Sequence, residues 1–383
     1  MGSSILLMLS FIGCKSCSEN EIVEKGQITE TATPEEEVFS NNWGSWLSMS
    51  SLSDGRVIVS YYDKTEGGLG VAVTDPSADP IEWKHQEVDG YKNDQGLDVG
   101  NHGKYSTMAV DSSDNIWIAH YDVGLKNLRY ATKNIADEDW VIGLADAGGG
   151  SSPDAGWYAS LALDAAEYPV VAHHDNLKKT LRVVHWDGTA FSAEVVDTGE
   201  DATDENGETI EASVGQFPAI AIDGGIEYIT YHDAAAGSLK IAYGTAGSYT
   251  IETLDQGNVG EWSSIRISDG ILHITYHDME NQDLKYMYGT PGNFTIEVVD
   301  DGDIIGADSE VLVNENTVHV VYFDGKNNNI KKATRMNDSW TTADLAGENL
   351  ALGFHNELIN IGETLYGACY NYTAETIWFE AIE

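Results

Sequence analysis

Residues 156–197 read GWYASLALDAAEYPVVAHHDNLKKTLRVVHWDGTAFSAEVVD. Their period-2 patterning and turn residues predict a first strand over Tyr158–Leu163, a turn at Asp164–Glu167 and a second strand over Tyr168–Asp175. A third strand follows over Leu181–Trp186, then a turn at Asp187–Gly188 and a fourth strand over Phe191–Val196. The block opens on Gly156, and its second strand ends in His173-His174-Asp175.

The same frame recurs along the chain. Glycines at Gly44, Gly103, Gly156, Gly215, Gly260, Gly306 and Gly353 each precede a pair of residues, mostly rings, followed by Asp or Asn. Those endings are Tyr61-Tyr62-Asp63, His120-Tyr121-Asp122, His173-His174-Asp175, Tyr231-His232-Asp233, Tyr276-His277-Asp278, Tyr322-Phe323-Asp324 and Cys369-Tyr370-Asn371. A four-stranded unit repeated every 45 to 59 residues fits one blade of a β-propeller. The fold class predicted is therefore all-β: a seven-bladed β-propeller of four-stranded antiparallel blades.

The last unit runs out after its third strand, Thr376–Ala381, which leaves one blade short. Residues 21–30 contain Glu21-Ile22-Val23-Glu24-Lys25-Gly26, which resembles the fourth strands, and are expected to pair with the last blade and close the ring. The expected organisation is a signal peptide over 1–13, a tether over 14–20 and one propeller domain over 21–383.

The leader is an apolar run, Ile5 to Gly13, ending in Phe11-Ile12-Gly13-Cys14. It resembles the lipobox of bacterial lipoproteins, in which a small residue precedes a cysteine that is cleaved and acylated. The resemblance implies lipidation at Cys14 and an exported, cell-envelope protein that meets the membrane only through a lipid anchor. Nine apolar residues are too few to span a bilayer.

The chain has 63 acidic and 20 basic residues, a formal charge of −43. Such a surface repels polyanions, so nucleic acid is excluded as a partner. The basic residues Arg129, Arg182, Lys240, Lys285 and Lys331 recur at the opening of third strands, which marks them as a structural column. Nothing in the sequence calls for an oligomer, and a monomer is expected.

Strands alternate in direction, so the loop entering strand one and the loop leaving strand two share a face. Both repeated motifs are therefore expected at one mouth of the central channel. Repeated positions are scaffold: the glycines supply positive φ or close backbone approach, and the Asp/Asn column caps the following turn. The second ring of each pair is expected to pack between blades.

Positions that break the repeat are the candidates for chemistry. His120 and His173 stand where Tyr is the rule. With His102, Lys104, Trp157 and Tyr158 they define one polar sector, in which imidazole suits acid–base work near neutral pH. Two residues after each glycine, Trp46, Tyr105, Tyr158, Phe217 and Trp262 give way to Asp308 and His355, with Glu261 beside Trp262. Glu261 and Asp308 form a candidate carboxylate pair of the kind that divides acid and base roles in glycoside cleavage. Trp43, Trp46, Trp157 and Trp262, expected at or beside the mouth, offer flat faces for a sugar. The acidic loop containing Asp201, Asp204 and Glu208 has the carboxylates, without the spacing, of a Ca²⁺ loop. No other metal or organic cofactor is indicated.

The run Ile118-Ala119-His120-Tyr121-Asp122, followed by Leu128-Arg129-Tyr130-Ala131, resembles the sialidase-like propeller superfamily with BNR-type repeats. The resemblance covers essentially the whole mature chain and implies the fold. Sialidases hold a carboxylate with three mouth arginines; here Arg129 and Arg182 open third strands, and Arg56, Arg266 and Arg335 are expected off the mouth columns. The Ser-x-Asp-x-Gly-x-Thr-Trp box is also missing from the turns between third and fourth strands, so sialidase activity is disfavoured. Blades two and three are similar to propeller polysaccharide lyases, which implies His102, His120 and Tyr158 as proton-transfer residues. The expected function is a mouth that binds a glycan or protein ligand. The alternatives are a lyase or hydrolase using the same residues and a purely structural scaffold.

Overall fold

The computed structural model describes residues 42–91, 100–149, 153–346 and 350–382. The expected closing strand and the Cys14 lipobox lie outside the described residues. Six four-stranded antiparallel sheets and one three-stranded sheet follow one another along the chain, each with its strands in meander order. Among the described residues there is no helix. The blade read first from the sequence runs Ala155–Leu163, Pro169–Asp175, Thr180–Trp186 and Phe191–Asp197, within a few residues of the predicted bounds.

Each second strand is largely buried on both faces, as in the fully buried Val57–Asp63, because blades pack face to face and cover both sides. The core is accordingly divided among the seams. Leu181 and Val183 of blade three pack with Val214 and Ile220 of blade four, for example. The seam between blades seven and one closes the ring by the same means: Leu47 and Val59 pack with Ala368 and Phe379. There the Trp43 N–H donates to the Glu375 carbonyl at 3.1 Å.

The repeated glycines do both things expected of them. Gly215 has φ +85°, and a Cβ there would lie 2.6 Å from Leu181 Cα on the preceding blade. This close approach lets the first strand of one blade seat on the third strand of its neighbour. The Asp/Asn column caps as predicted. Asp63 Oδ1 accepts from the Thr65 and Glu66 amides at 2.8 and 3.2 Å, and Asn371 Oδ1 does the same for Thr373 and Ala374.

The basic column has a partner that lies in the preceding repeat. Arg182 Nε and Nη2 donate to Asp146 at 2.7 and 3.1 Å, where Asp146 ends the fourth strand of blade two. Arg129 meets Asp89 at 2.8 Å, Lys240 meets Asp197 at 2.8 Å and Lys285 meets Asp255 at 3.1 Å in the same way. A ring completes each clamp: the Tyr231 hydroxyl donates to Asp197 at 2.7 Å, and Tyr276 donates to Asp255 at 2.8 Å.

Candidate functional site

The first strand of every blade carries a β-bulge just after its glycine, as where Ser45 pairs with Tyr62 but Ser48 pairs with Ser60. The bulged residue is left-handed although it is not glycine: φ is 48° at Trp46, 53° at Tyr105, 55° at Tyr158, 49° at Phe217 and Trp262, 54° at Asp308 and 56° at His355. Bulky residues rarely adopt this conformation, which costs on the order of 1–2 kcal/mol per residue. A bulge re-aims its side chain, and all seven side chains line one central cavity of about 320 Å³.

Neighbouring members touch. Centroid separations are 5.5 Å from Trp46 to Tyr105, 4.9 Å on to Tyr158, 4.3 Å to Phe217 and 4.8 Å to Trp262. The five rings form an arc broken by Asp308 and His355. The His355 amide donates to Asp308 Oδ2 at 2.7 Å, and the His355 ring returns to Trp46 at 5.5 Å. Seam bonds lock the arc from behind. The Ser106 hydroxyl donates to the Trp46 carbonyl, Ser263 to that of Phe217 at 3.1 Å, and Ser309 to that of Trp262 at 3.3 Å.

Four residues after each glycine the channel wall reads Ser48, Thr107, Ser160, Ala219, Ser264, Glu310 and Glu357. The hydroxyls serve the next blade: Ser48 Oγ accepts from the Met108 amide at 3.1 Å, and Thr107 Oγ1 accepts from Leu161 at 3.1 Å. Glu310 accepts from Ser264 Oγ at 2.7 Å and pairs with Arg266. Glu357 takes hydrogen bonds from Ser48 and the Met49 amide, and burial beside Glu310 pushes its carboxyl well above the usual range. Sequence reasoning missed Glu310, Glu357 and Arg266. The signal was present: both glutamates break a column of small residues, and Arg266, six residues after Gly260, breaks a column of Ser, Ala, Leu and Ile. Arg266 was expected off the mouth columns, but it lines the cavity.

The histidines expected at the mouth lie elsewhere. His120 and His173 are 0% exposed and His102 is 6% exposed. They are side chains of seams, because the faces of a blade's inner strands look at the adjoining blades. His173 Nδ1 accepts from the Gly156 amide at 3.1 Å, which leaves Nε2 to donate to Asp146 Oδ2 at 3.1 Å. His102 Nδ1 lies 3.0 Å from Asp89 Oδ1 and its Nε2 lies 3.2 Å from Asp122 Oδ2; His120 Nε2 lies 3.4 Å from Asp89 Oδ2. His120 and His173 therefore occupy the place that Tyr231 and Tyr276 occupy on other blades. Tyr158 does line the cavity, but burial first and Glu261 second push its phenol up to about 12. His102, His120 and Tyr158 are thus not gathered around a shared reacting atom.

Asp308 and His355 are brought together, and burial shifts both: the Asp308 carboxyl up to about 6, and the His355 imidazole down to about 3 with the Lys64 charge adding to the effect. Glu261 is not among the cavity-lining residues, although burial pushes its carboxyl up to about 7. The carboxylates that share the cavity with Asp308 are Glu310 and Glu357. Trp157 is not among the cavity-lining residues: its Nε1 donates to Asp154 at 2.9 Å and its ring lies 5.5 Å from Tyr105. Lys104 lies 5.5 Å above the Trp46 ring. Trp43 packs into blade one against His85.

The acidic insertion is a small ribbon, Ala202–Thr203 with Thr209–Ile210. Its carboxylates bind backbone: Asp201 Oδ1 accepts from the Ala212 amide at 2.9 Å, and Asp204 Oδ1 accepts from Glu208 at 2.7 Å. Asp201, Asp204 and Glu208 do not form a ligand cluster, and among the described residues no group of three or more His, Cys, Asp or Glu is arranged to hold a metal ion.

No protein-family model matches the sequence, and no curated protein matches it. Solved structures similar to it include the polysaccharide lyase Uly1, with a TM-score of 0.54 and 10% identity over 85% of this chain and 86% of that one. A Hadza microbial sialidase matches with a TM-score of 0.48 and 14% identity over 89% of this chain and 66% of its own length. The fucose-specific lectin from Aleuria aurantia matches with a TM-score of 0.47 and 13% identity, covering 80% and 95% of the two chains. At these identities the likeness is one of fold. It accords with the β-propeller read from the sequence.

Proposed function

We propose that this chain is an exported, lipid-anchored propeller whose central cavity binds the end of a glycan. The observation that carries the reading is the arc from Trp46 to Trp262, five contiguous aromatic rings held by strained backbone and closed by the polar pair Asp308 and His355. Ring faces suit the C–H surface of a pyranose, and the polar break supplies groups to fix its hydroxyls. The scaffold itself does not require aromatic residues at the bulge, since Asp308 and His355 adopt the same φ. A cavity of about 320 Å³ lies at the small end of ligand sites and suits one terminal unit.

Binding is the reading favoured over the lyase alternative. Proton transfer needs an acid and a base within reach of one atom, and the histidines proposed for it are enclosed in seams. Lipidation at Cys14 would tether the domain to the cell envelope.

A glycan array probed with residues 21–383 tests the reading. The parent domain is expected to bind, and Phe217→Ala and Trp262→Ala variants with unchanged circular dichroism are expected to lose at least about tenfold in affinity, the scale of one or two aromatic contacts. Equal binding by parent and variants would remove the arc as the site.

A further inference from the structure

The aromatic arc encloses more than apolar faces. Asp308, Glu310 and Glu357 come from two consecutive blades and line the same cavity as Trp46, Tyr158 and Trp262. The cations nearby are engaged: Lys64, whose charge reaches His355, stands over the Tyr370 and Tyr372 rings, 4.4 and 4.7 Å from their centroids. Arg266 is paired with Glu310, and His355 is neutral at physiological pH, since burial and the Lys64 charge hold its imidazole down to about 3. Lys104 stands above Trp46 and Tyr62, 5.5 and 5.6 Å from their centroids.

An independent observation points to a donor. Asn356 lines the cavity and is 7% exposed, and its amide nitrogen donates to the carbonyls of Asp308 and Gly353 at 2.6 and 2.9 Å. Its Oδ1 has no partner. A buried acceptor left unpaired costs on the order of 1–3 kcal/mol, a cost that a ligand N–H removes. An ammonium group supplies three donors and no acceptor. Aromatic faces also attract a cation through the ring quadrupole, by about 0.5–2 kcal/mol each. Lys104 over Trp46 makes that contact within the chain.

We propose, building on the glycan reading above, that the terminal unit held in this cavity is an amino sugar with a free ammonium, seated against the arc with its nitrogen toward Asp308, Glu357 and Asn356 Oδ1. Both classes of group are used: the ring faces take the pyranose, and the carboxylates with the free acceptor take the ammonium. The chain's formal charge of −43 adds long-range attraction for such a ligand. Burial holds the Asp308 carboxyl up to about 6 and raises that of Glu357 as well. A bound ammonium favours their ionised forms, so binding is accompanied by proton release.

The test is calorimetric titration of the parent domain with three β1,4-linked tetramers that differ only at C2: glucosamine, N-acetylglucosamine and glucose. The glucosamine tetramer is expected to bind at least about tenfold more tightly than either other, a margin of about 1.4 kcal/mol. Its apparent enthalpy is expected to change with the ionisation enthalpy of the buffer, and its affinity to fall between about 20 mM and about 200 mM salt. Asp308→Asn, which keeps a side chain tolerant of positive φ, and Glu357→Gln are each expected to erase the preference for the glucosamine tetramer over the glucose tetramer. Equal affinity for all three tetramers overturns the amino-sugar inference and leaves the glycan reading standing. Failure of the glucosamine tetramer to bind overturns the inference, and a blank across the wider glycan array overturns the reading on which it rests.

Discussion

Asp146 and Arg182 form a two-pronged ion pair across the seam between blades two and three, with nitrogen–oxygen distances of 2.7 and 3.1 Å. Both side chains are largely buried, at 5% and 12% exposure. His173 on the same carboxylate orients the group from the side. Equivalent clamps recur at Asp89, Asp197, Asp255 and Asp300, where Lys331 and the Tyr322 hydroxyl meet Asp300. The clamp ties the outer strand of one blade to the inner strands of the next, so it resists opening of the ring.

Asp146→Ala therefore leaves Arg182 buried without a partner. The expected loss is about 3–5 kcal/mol, the usual consequence of removing one member of a buried pair. Urea unfolding of the isolated domain measures it, and a loss below about 1 kcal/mol would show that the seam does not depend on the clamp.

Stability is expected to depend on pH with two opposite signs. Hydrogen bonds and charge from the His and Arg or Lys partners, outweighing burial, hold Asp89, Asp146, Asp197 and Asp300 below the ordinary carboxylate range. Their contribution is fully present above the unfolded-chain value of about 3.9 and is lost as pH falls through the lower folded values. Asp308 is shifted the other way, up to about 6 by burial. Its contribution is present below about pH 4 and is lost as pH rises through about 6. Tm is expected to drop steeply in acid and to decline gently from about pH 4 to 7, and Asp308→Asn is expected to make only the second limb shallower, without removing it, because burial raises Glu261 and Glu357 too. Scanning calorimetry across that range reads both limbs.

Self-repulsion from the formal charge of −43 is expected to lower stability at neutral pH. Raising sodium chloride from about 20 mM to about 500 mM screens it and should increase Tm by several degrees. A fall in Tm with salt would mean that the clamps are more screened than the repulsion.

Two glycines separate strain from packing. Gly215 and Gly247 both have positive φ, +85° and +75°, but a Cβ at Gly215 lies 2.6 Å from Leu181 backbone whereas one at Gly247 meets nothing within 4 Å. Gly247→Ala is expected to cost about 1 kcal/mol from φ alone. Gly215→Ala must also push two blades apart and is expected to cost at least about twice as much, as judged by urea midpoints.

The amino-acid sequence by itself determined the architecture. A glycine placed against a neighbouring strand, an Asp or Asn that caps a turn and a buried second strand are local requirements, and each returns in the same place in every repeat. The basic column at Arg129, Arg182, Lys240, Lys285 and Lys331 was legible as scaffold for the same reason. Its partners were not, because Asp89 and Asp146 belong to the preceding unit and meet it only when blades pack. Tertiary structure also decided which departures from the repeat reach the cavity. His102, His120 and His173 lie on faces that adjoining blades cover, so they became seam residues. The positive-φ bulge turned Trp46 through His355 inward, and the straight wall below it brought Glu310, Glu357 and Arg266 to the same space. Chain direction fixes which end of a blade a residue occupies, whereas the side to which its side chain points depends on a bulge and a neighbour that no single repeat contains.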